Sequence, residues 1–244
     1  MFKGFTQETF DFLAGIRTNN NKEWFEEHKA VYTESVLSPL KELGEELFRP
    51  FDGTAGMMYK VGRIYRDATF PPYLHYRDVM WIYVRYEAMY WNKTPALFFE
   101  LSPEGAEFGF RIAKPEPALM ERFRKMLADD PETFPDMVER CRKEYGMKLS
   151  GDEYKRCKPC ENESLKCFFN KKGLALSVTV PSVDNELFSS ELVTHVNSVF
   201  KALVPINNKF HELVELHESE KQLRASVCDE AEAIVKAPEH EFMW

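Results

Sequence analysis

The chain has no long hydrophobic run, which argues against a membrane-spanning helix. Its longest uninterrupted apolar stretch covers only residues 79–84, whereas a helix that spans a bilayer needs about 20 apolar residues. The N-terminal segment reaches Glu8 before any apolar stretch forms, so we expect no secretory signal. The five cysteines are an odd number and fit a reducing compartment better than a disulfide framework. The sequence therefore predicts a cytoplasmic protein without a membrane partner.

The chain also lacks an excess of basic residues. It has 32 Lys and Arg against 40 Asp and Glu, which gives a net charge of -8. A protein that binds nucleic acid needs a basic face to neutralise phosphates, so we expect no nucleic-acid partner. Much of the acidity is local, because residues 215–244 hold eight acidic and three basic side chains. The rest of the chain is nearly neutral and has room for a local cationic pocket.

Short motifs for nucleotide binding, serine hydrolysis and metal binding are missing as well. There is no G-x-G-x-x-G, no G-x-x-x-x-G-K-[ST] and no G-x-S-x-G, and no two histidines are four residues apart. Cys157 and Cys160 form one C-x-x-C in a polar stretch, without the second pair that a structural zinc site has. We predict no cofactor and no metal, and treat these cysteines as ordinary loop residues. Missing motifs do not decide whether the chain is an enzyme.

Apolar residues at spacings of three and four predict the helices. Thr6 is a suitable cap for a first helix through Ile16, and the asparagines at 19–21 for a second one. The second helix continues to Leu47 with a kink or break at Pro39. Further helices are predicted at residues 117–129, 131–145 and 185–217, the last interrupted near Pro205, and the tail from 218 to 236 is a candidate helix.

Alternating patterns predict strands at residues 57–65, 79–87, 96–102, 107–113 and 174–180. The first four are joined by short connections, which favours antiparallel pairing. Because helices come first, then a run of strands, then helices, the fold class is α+β, with an antiparallel sheet of about five or more strands and helices on one face. We predict one domain at residues 1–216 and an acidic helical extension at residues 217–244.

The predicted sheet has two unlike faces. Alternation gives one face only apolar residues, whereas the other mixes aromatic rings with charges of both signs. Two interpretations of the mixed face stay open: a concave site whose arginines grip a carboxylate or phosphate, and a solvated face with arginine–glutamate pairs. The mixed face contains Trp81, Tyr83, Arg85, Phe98, Glu100, Glu107 and Arg111, and the apolar face contains Met80, Ile82, Val84, Leu97, Phe99, Leu101, Phe108, Phe110 and Ile112.

Two polar segments precede this sheet. Arg63, Arg66 and Asp67 either brace a turn through charge-assisted bonds or contact a ligand. Asn21 either only caps a helix or belongs to a helix N-terminus that faces an anion in the same cleft. Both alternatives stay open for each segment.

The same segments carry a resemblance to a known family. Residues 19–25 (NNNKEWF) and 62–67 (GRIYRD) resemble the signature of the bacterial and fungal family called domain of unknown function 2461, and the resemblance covers residues 5–216. The family pattern usually has basic residues where this chain has Thr69 and Leu74. The resemblance implies a place to look for a site and no activity.

We therefore carry three hypotheses. The first is a binding or accessory protein whose mixed face recognises a small anionic ligand or a peptide of a protein partner. The second is an enzyme acting on an anionic substrate through the segment 63–67, and the third is an interaction protein that works through its acidic tail. The candidate ligand-binding residues are Arg63, Arg66, Asp67, Asn21, Trp81, Arg85 and Arg111.

Overall fold

The protein has an α+β fold built on one antiparallel sheet, as the sequence predicts. A computed structural model describes residues 1–67, 69, 73–88 and 93–235, and only the backbone of residues 224–235. Its six strands follow the spatial order β1-β2-β3-β4-β6-β5, and every neighbouring pair is antiparallel. The strands are β1 Met57–Val61, β2 Met80–Tyr86, β3 Ala96–Ser102, β4 Gly105–Ile112, β5 Lys148–Ser150 and β6 Leu174–Pro181.

The edge strand β5 was not predicted from the sequence. It is only three residues long and pairs with β6 from Ser150 opposite Ala175 to Lys148 opposite Ser177. Only its middle residue is half-buried, and the other two are exposed. A strand of three residues is too short for the alternation of apolar and polar residues to be recognised in the sequence.

The helices surround the sheet on its apolar side. The predicted helix at 117–129 is confirmed, whereas the next one begins two residues later than predicted. Its start is set by Asp130, whose Oδ1 accepts a bond from the Thr133 amide at 3.1 Å. The helices are α1 Gln7–Thr18, α2 Lys22–Glu27, α3 Lys29–Val31, α4 Ser38–Phe48, α5 Pro117–Asp129, α6 Thr133–Tyr145, α7 Lys166–Phe169 and α8 Glu191–Val235.

A π-helical turn replaces the predicted break at Pro39. The turn covers Tyr32–Leu37 and joins α3 to α4, with the Ser38 amide bonded to the Thr33 carbonyl five residues back. Pro39 has no N–H for the Ser35 carbonyl four residues before it. That carbonyl instead accepts a bond from Thr9 Oγ1 at 2.6 Å. A side chain of α1 thus satisfies the group that the proline leaves open, and the chain stays helical.

The predicted interruption of the last helix near Pro205 is wrong. Helix α8 continues through Pro205 to Val235. Proline is unfavourable inside a helix, yet Leu203 and Ile206 on either side of it are buried in the core. Burial on both sides of Pro205 outweighs the local cost. The helix also passes residue 216 without a break, and the division into a domain and an extension stays a prediction.

The hydrophobic core lies between the apolar face of the sheet and the helices. All nine residues predicted for that face are fully buried. Phe210 of α8 joins the sheet to the outer helices, because its ring lies 5.3 Å from Phe110, 4.7 Å from Phe123 and 5.9 Å from Phe134. Among the described helices, none combines the length and the apolar character that crossing a membrane requires.

Candidate functional site

The segment between β1 and β2 forms a short ribbon at the edge of the sheet. The Gly62 amide donates to the Trp81 carbonyl at 2.7 Å, the Arg77 amide to the Ile64 carbonyl at 2.7 Å, and the Arg66 amide to the His75 carbonyl at 2.8 Å. Ile64 is 1% exposed and anchors the ribbon in the core. The arginines at 63 and 77 are thereby fixed beside β2.

Three consecutive asparagines lie between α1 and α2, and one of them, Asn20, bonds the ribbon. Asn19 Nδ2 donates to the Gly15 carbonyl at the end of α1. Asn20 pairs with the Tyr76 backbone, accepting from its amide and donating to its carbonyl, both at 2.9 Å. Asn21 caps α2 by accepting from the Trp24 amide at 2.9 Å. The asparagine signature therefore has a structural role at each of its three positions.

A cavity of about 150 Å³ opens on the mixed face over β1 and β2. We call it the cationic cavity. Strand register explains part of its lining, since Lys60 stands opposite Tyr83 and residues two apart on a strand share a face. It has no acidic side chain among its lining residues, which are Lys60, Arg63, Tyr65, Arg77, Trp81, Tyr83 and Arg85.

None of the four basic side chains of this cavity forms an ion pair with a described carboxylate, and only the charge of Glu87 acts on one of them, Arg85, from a distance. Among the described residues, no ion pair involves Lys60, Arg63, Arg77 or Arg85, and Arg85 only donates to the Tyr86 carbonyl at 3.2 Å. Burial lowers the pKa of Arg77, and the neighbouring charges of Arg66 and Arg63 lower it further. Burial also lowers the pKa of Arg85, which is 8% exposed. The fold thus places two partly desolvated cations, Arg77 and Arg85, beside the solvent-exposed side chains of Lys60 and Arg63.

Two aromatic rings form the floor of the cationic cavity. Trp81 and Tyr83 lie with ring centroids 4.7 Å apart. A Cβ atom on Gly62 would lie 2.6 Å from the Trp81 ring, so this glycine lets the ring lie against the backbone. Tyr83 donates to Glu100 Oε1 at 3.2 Å, and burial, helped by Glu100, raises its pKa to about 12. Its phenol is therefore neutral at physiological pH.

Arg66 and Asp67 lie outside the cationic cavity and have partners within the protein. Arg66 Nη2 pairs with Asp78 Oδ1 at 3.2 Å, while Arg17 Nε holds the other oxygen of Asp78 at 2.6 Å. Asp67 closes its own turn, because Oδ1 accepts from the amide and the hydroxyl of Thr69. These bonds lower the pKa of Asp67. Both side chains therefore stabilise the local structure of this segment through contacts within the protein.

Arg111 is also engaged, on the neighbouring strands. Its guanidinium donates two bonds to Glu100, at 2.5 and 3.1 Å, and lies 3.9 Å above the ring of Phe98. Of the predicted residues, the structure thus gathers Arg63, Trp81 and Arg85 in one cavity. It places Arg66, Asp67, Asn21 and Arg111 in internal contacts elsewhere, and the ligand-binding role of all seven stays a prediction.

Two basic residues of the cavity were missed in the sequence. Lys60 shares its face with Tyr83 only once the register of β1 on β2 is known. Arg77 reaches the site because its amide bonds Ile64 across the ribbon. The sequence does contain one indication of a cationic site here, because three arginines, at 63, 66 and 77, lie in the short segment between β1 and β2.

The C-x-x-C motif shows no paired chemistry in the structure. Cys157 is an exposed thiol and Cys160 a half-buried one, and neither forms a disulfide. Within the described ranges, no three His, Cys, Asp or Glu side chains gather as metal ligands do. The expectation of no metal stays a prediction.

Comparison with known proteins gives a family. No curated protein matches the chain. The family model for a conserved hypothetical protein, DUF2461, matches residues 8–208, which is most of the chain and contains both polar segments and all six strands. The chain is therefore a member of the DUF2461 family.

Proposed function

We propose that this chain is a cytoplasmic binding or accessory protein that recognises a small anion in the cationic cavity. The observation that carries the proposal is the grouping of Lys60, Arg63, Arg77 and Arg85 around one hollow whose lining includes no carboxylate. Burial partly desolvates Arg77 and Arg85, and desolvated cations without counter-charges are costly. An anion bound among them restores the missing counter-charge and relieves that cost.

The size of the cavity limits the ligand. Pockets for drug-sized molecules measure about 300 to 1,000 Å³, whereas this one measures about 150 Å³. That space suits one phosphate, sulfate or carboxylate group, either free or at the end of a metabolite or peptide. Guanidinium forks grip such groups with two parallel bonds, and the rings of Trp81 and Tyr83 offer apolar contact to the rest of the ligand.

The enzyme hypothesis ranks second. It assigns the binding of an anionic substrate to Arg63, Arg66 and Arg111. In this hypothesis Asp67 or a glutamate is the proton carrier. Arg66 is paired with Asp78, and Asp67 is bonded to Thr69 in an exposed turn. The lining of the cationic cavity includes no Asp, Glu, His or Cys that would move a proton near neutral pH. Binding without chemistry therefore accounts better for the geometry.

Thermal unfolding in the presence of simple anions tests the proposal. Phosphate, sulfate and acetate are compared with chloride at constant ionic strength, so that general salt effects cancel. An anion at 100 times its dissociation constant adds about 2.7 kcal/mol to the free energy of unfolding. We expect at least one oxyanion to raise Tm in this way.

Matched arginine variants locate the effect. Arg77→Gln and Arg85→Gln each remove one cation of the cavity, and we expect the anion-dependent rise in Tm to shrink or vanish in both. Arg140→Gln removes an exposed arginine of α6 and serves as the control that keeps the full rise. The proposal fails if no oxyanion stabilises the protein, or if the cavity variants respond like the control.

A further inference from the structure

Strand β1 forms an open edge of the sheet. It stands first in the spatial order, and among the described strands it pairs only with β2. The other edge strand, β5, has three residues, whereas β1 has five, of which four are half-buried and Lys60 is exposed. The backbone groups on the outer side of an edge strand can pair with another strand. Of these two edges, β1 thus offers the longer row of such groups.

The bond that follows β1 shows which of its backbone groups face the open edge. The Gly62 amide donates to the Trp81 carbonyl of β2 at 2.7 Å. Because the direction of these groups alternates along a strand, the backbone groups of Lys60 also face β2, whereas those of Tyr59 and Val61 face outward. Outside β2, the backbones of Tyr59 and Val61 form no hydrogen bond with any described residue. Their amides and carbonyls are therefore open to a partner strand.

The two sides of this edge differ in chemistry. On the mixed face, Lys60 and Arg63 are exposed and line the cationic cavity, whose lining includes no carboxylate. On the apolar face, the Tyr59 ring lies 5.1 Å from the ring of Phe48, and both rings are half-buried. A Cβ atom on Gly44 would lie 3.2 Å from the Tyr59 ring. Helix α4 thus packs closely against β1 and supports it from the apolar side.

The charge of this edge limits which strand can pair with it. A lysine on an edge strand discourages pairing between identical edges. Two copies of β1 placed side by side would bring Lys60 and Arg63 of both copies together on one face, and like charges on facing strands are destabilising. A strand that carries carboxylates on that face supplies the opposite charge instead. Charge complementarity therefore favours an acidic partner strand over a second copy.

From these observations we infer that β1 binds an extended acidic segment of a partner protein as an added antiparallel strand. Main-chain bonds to Tyr59 and Val61 hold the segment, and its alternate side chains point to the two faces. Carboxylates on the mixed face lie beside Lys60 and Arg63, whereas apolar side chains on the other face lie beside Tyr59 and Phe48. The inference rests on the proposed function, because cations of the same cavity bind the carboxylates.

Matched peptides test the charge and the main-chain bonds separately. The probe is a labelled hexapeptide in which glutamate alternates with valine, and its binding is measured by fluorescence anisotropy. Glutamine in place of every glutamate should weaken binding at least about tenfold, because the ion pairs are lost. In antiparallel pairing, the valine opposite Tyr59 directs its amide to β1. N-methylation of the valine amides should therefore weaken binding at least about tenfold, whereas N-methylation of the glutamate amides, which point away from β1, should weaken it far less.

Measurements on the protein locate the bound peptide. Saturating peptide should slow hydrogen exchange at the amides of Tyr59 and Val61, and should leave the amide of Gly62, which is already bonded, unchanged. Lys60→Gln should weaken binding of the glutamate peptide about threefold, because it removes one exposed ion pair. Arg140→Gln changes an exposed arginine of α6 and is the control that keeps full affinity.

The inference is overturned if the glutamate peptide does not bind, if the glutamine peptide binds equally well, or if the two N-methylated peptides bind alike. Bound peptide without slower exchange at Tyr59 and Val61 would also contradict it. Light scattering covers the remaining occupant, since a dimer of the free protein that Val61→Pro dissociates would assign this edge to a second copy. A rise in Tm with phosphate but no peptide binding overturns the strand addition alone, whereas the absence of both effects overturns the proposed function as well.

Discussion

The mixed face of the sheet has two halves, which differ in whether their arginines are paired with carboxylates. Over β3 and β4, Arg111 is locked to Glu100 by two bonds and lies above Phe98. Over β1 and β2, by contrast, Arg85 stands opposite Met58, and no carboxylate lines the cavity around it. The paired half contains its own counter-charges, whereas we propose that the unpaired half receives its counter-charge from a bound anion. Arginines on the same face of the sheet thus have different partners, because strand register decides which side chains stand beside them.

The largest expected effect tests how well the paired half is packed. Phe98 on the mixed face and Phe99 on the apolar face are both fully buried neighbours in β3. We expect Phe99→Ala to lower the free energy of unfolding by about 4 kcal/mol and Phe98→Ala by about 3 kcal/mol, because each leaves a cavity. Urea denaturation measures both. A loss below about 1 kcal/mol for Phe98→Ala would mean that this half of the face is hydrated and loosely packed.

The next effect concerns the pairing itself. Glu100→Ala leaves the Arg111 guanidinium half-buried without its main partner, and we expect a loss of about 2 kcal/mol. The double variant Glu100→Ala, Arg111→Met removes both charges and is expected to recover more than half of that loss in the same urea experiment. If the double variant is no more stable than Glu100→Ala alone, the two side chains do not act as a pair.

In the unpaired half, removal of one charge should raise the free energy of unfolding instead of lowering it. Arg77→Gln removes one of several neighbouring positive charges, so in anion-free buffer of low ionic strength we expect the free energy of unfolding to rise by about 0.5 kcal/mol. Salt screens like charges, so the gain should shrink as sodium chloride is added. Arg140→Gln is the control. A destabilised Arg77→Gln variant would show that this arginine is already neutralised in the free protein.

The smallest effect depends on pH. At the turn between β3 and β4, Arg17 holds the pKa of Glu104 at about 2, below its ordinary 4.5. The ionised carboxylate therefore stabilises the fold above pH 4.5, and this contribution is lost as the pH falls toward 2. Because the pair is largely exposed, Glu104→Gln should cost only about 0.3 kcal/mol at pH 6. Urea midpoints of variant and wild type should converge as the pH falls to 3. A difference that grows in acid would contradict this assignment.

Local patterns in the sequence predicted much of the fold. Alternation was enough to assign the faces of β2, β3 and β4, and proline at a first turn located α5 to the residue. Where distant contacts override local preference, the prediction from local pattern is wrong. Local pattern predicts a break at Pro205 because the cost of a proline in a helix is local, whereas the burial that offsets this cost comes from packing against the core.

The candidate site was only partly predictable for the same reason. Of the predicted residues, Arg63, Trp81 and Arg85 line one cavity. Arg66 and Arg111, which the sequence groups with them, are paired with carboxylates instead. Whether an arginine meets a carboxylate depends on strand register and turn geometry. Neither Asp78 beside Arg66 nor Arg77 inside the cavity is marked by a motif in the sequence.

Arginine side-chain NMR in a phosphate titration tests the central claim most directly, because each Nε–Hε signal reports on one guanidinium. At constant ionic strength, we predict saturable shifts in the signals of Arg63, Arg77 and Arg85. Arg111 and Arg124, which are held by Glu100 and by the Phe169 and Lys171 carbonyls, should stay unchanged and act as internal controls. Shifts confined to arginines outside the cationic cavity, or no saturable shift at all, would contradict the account.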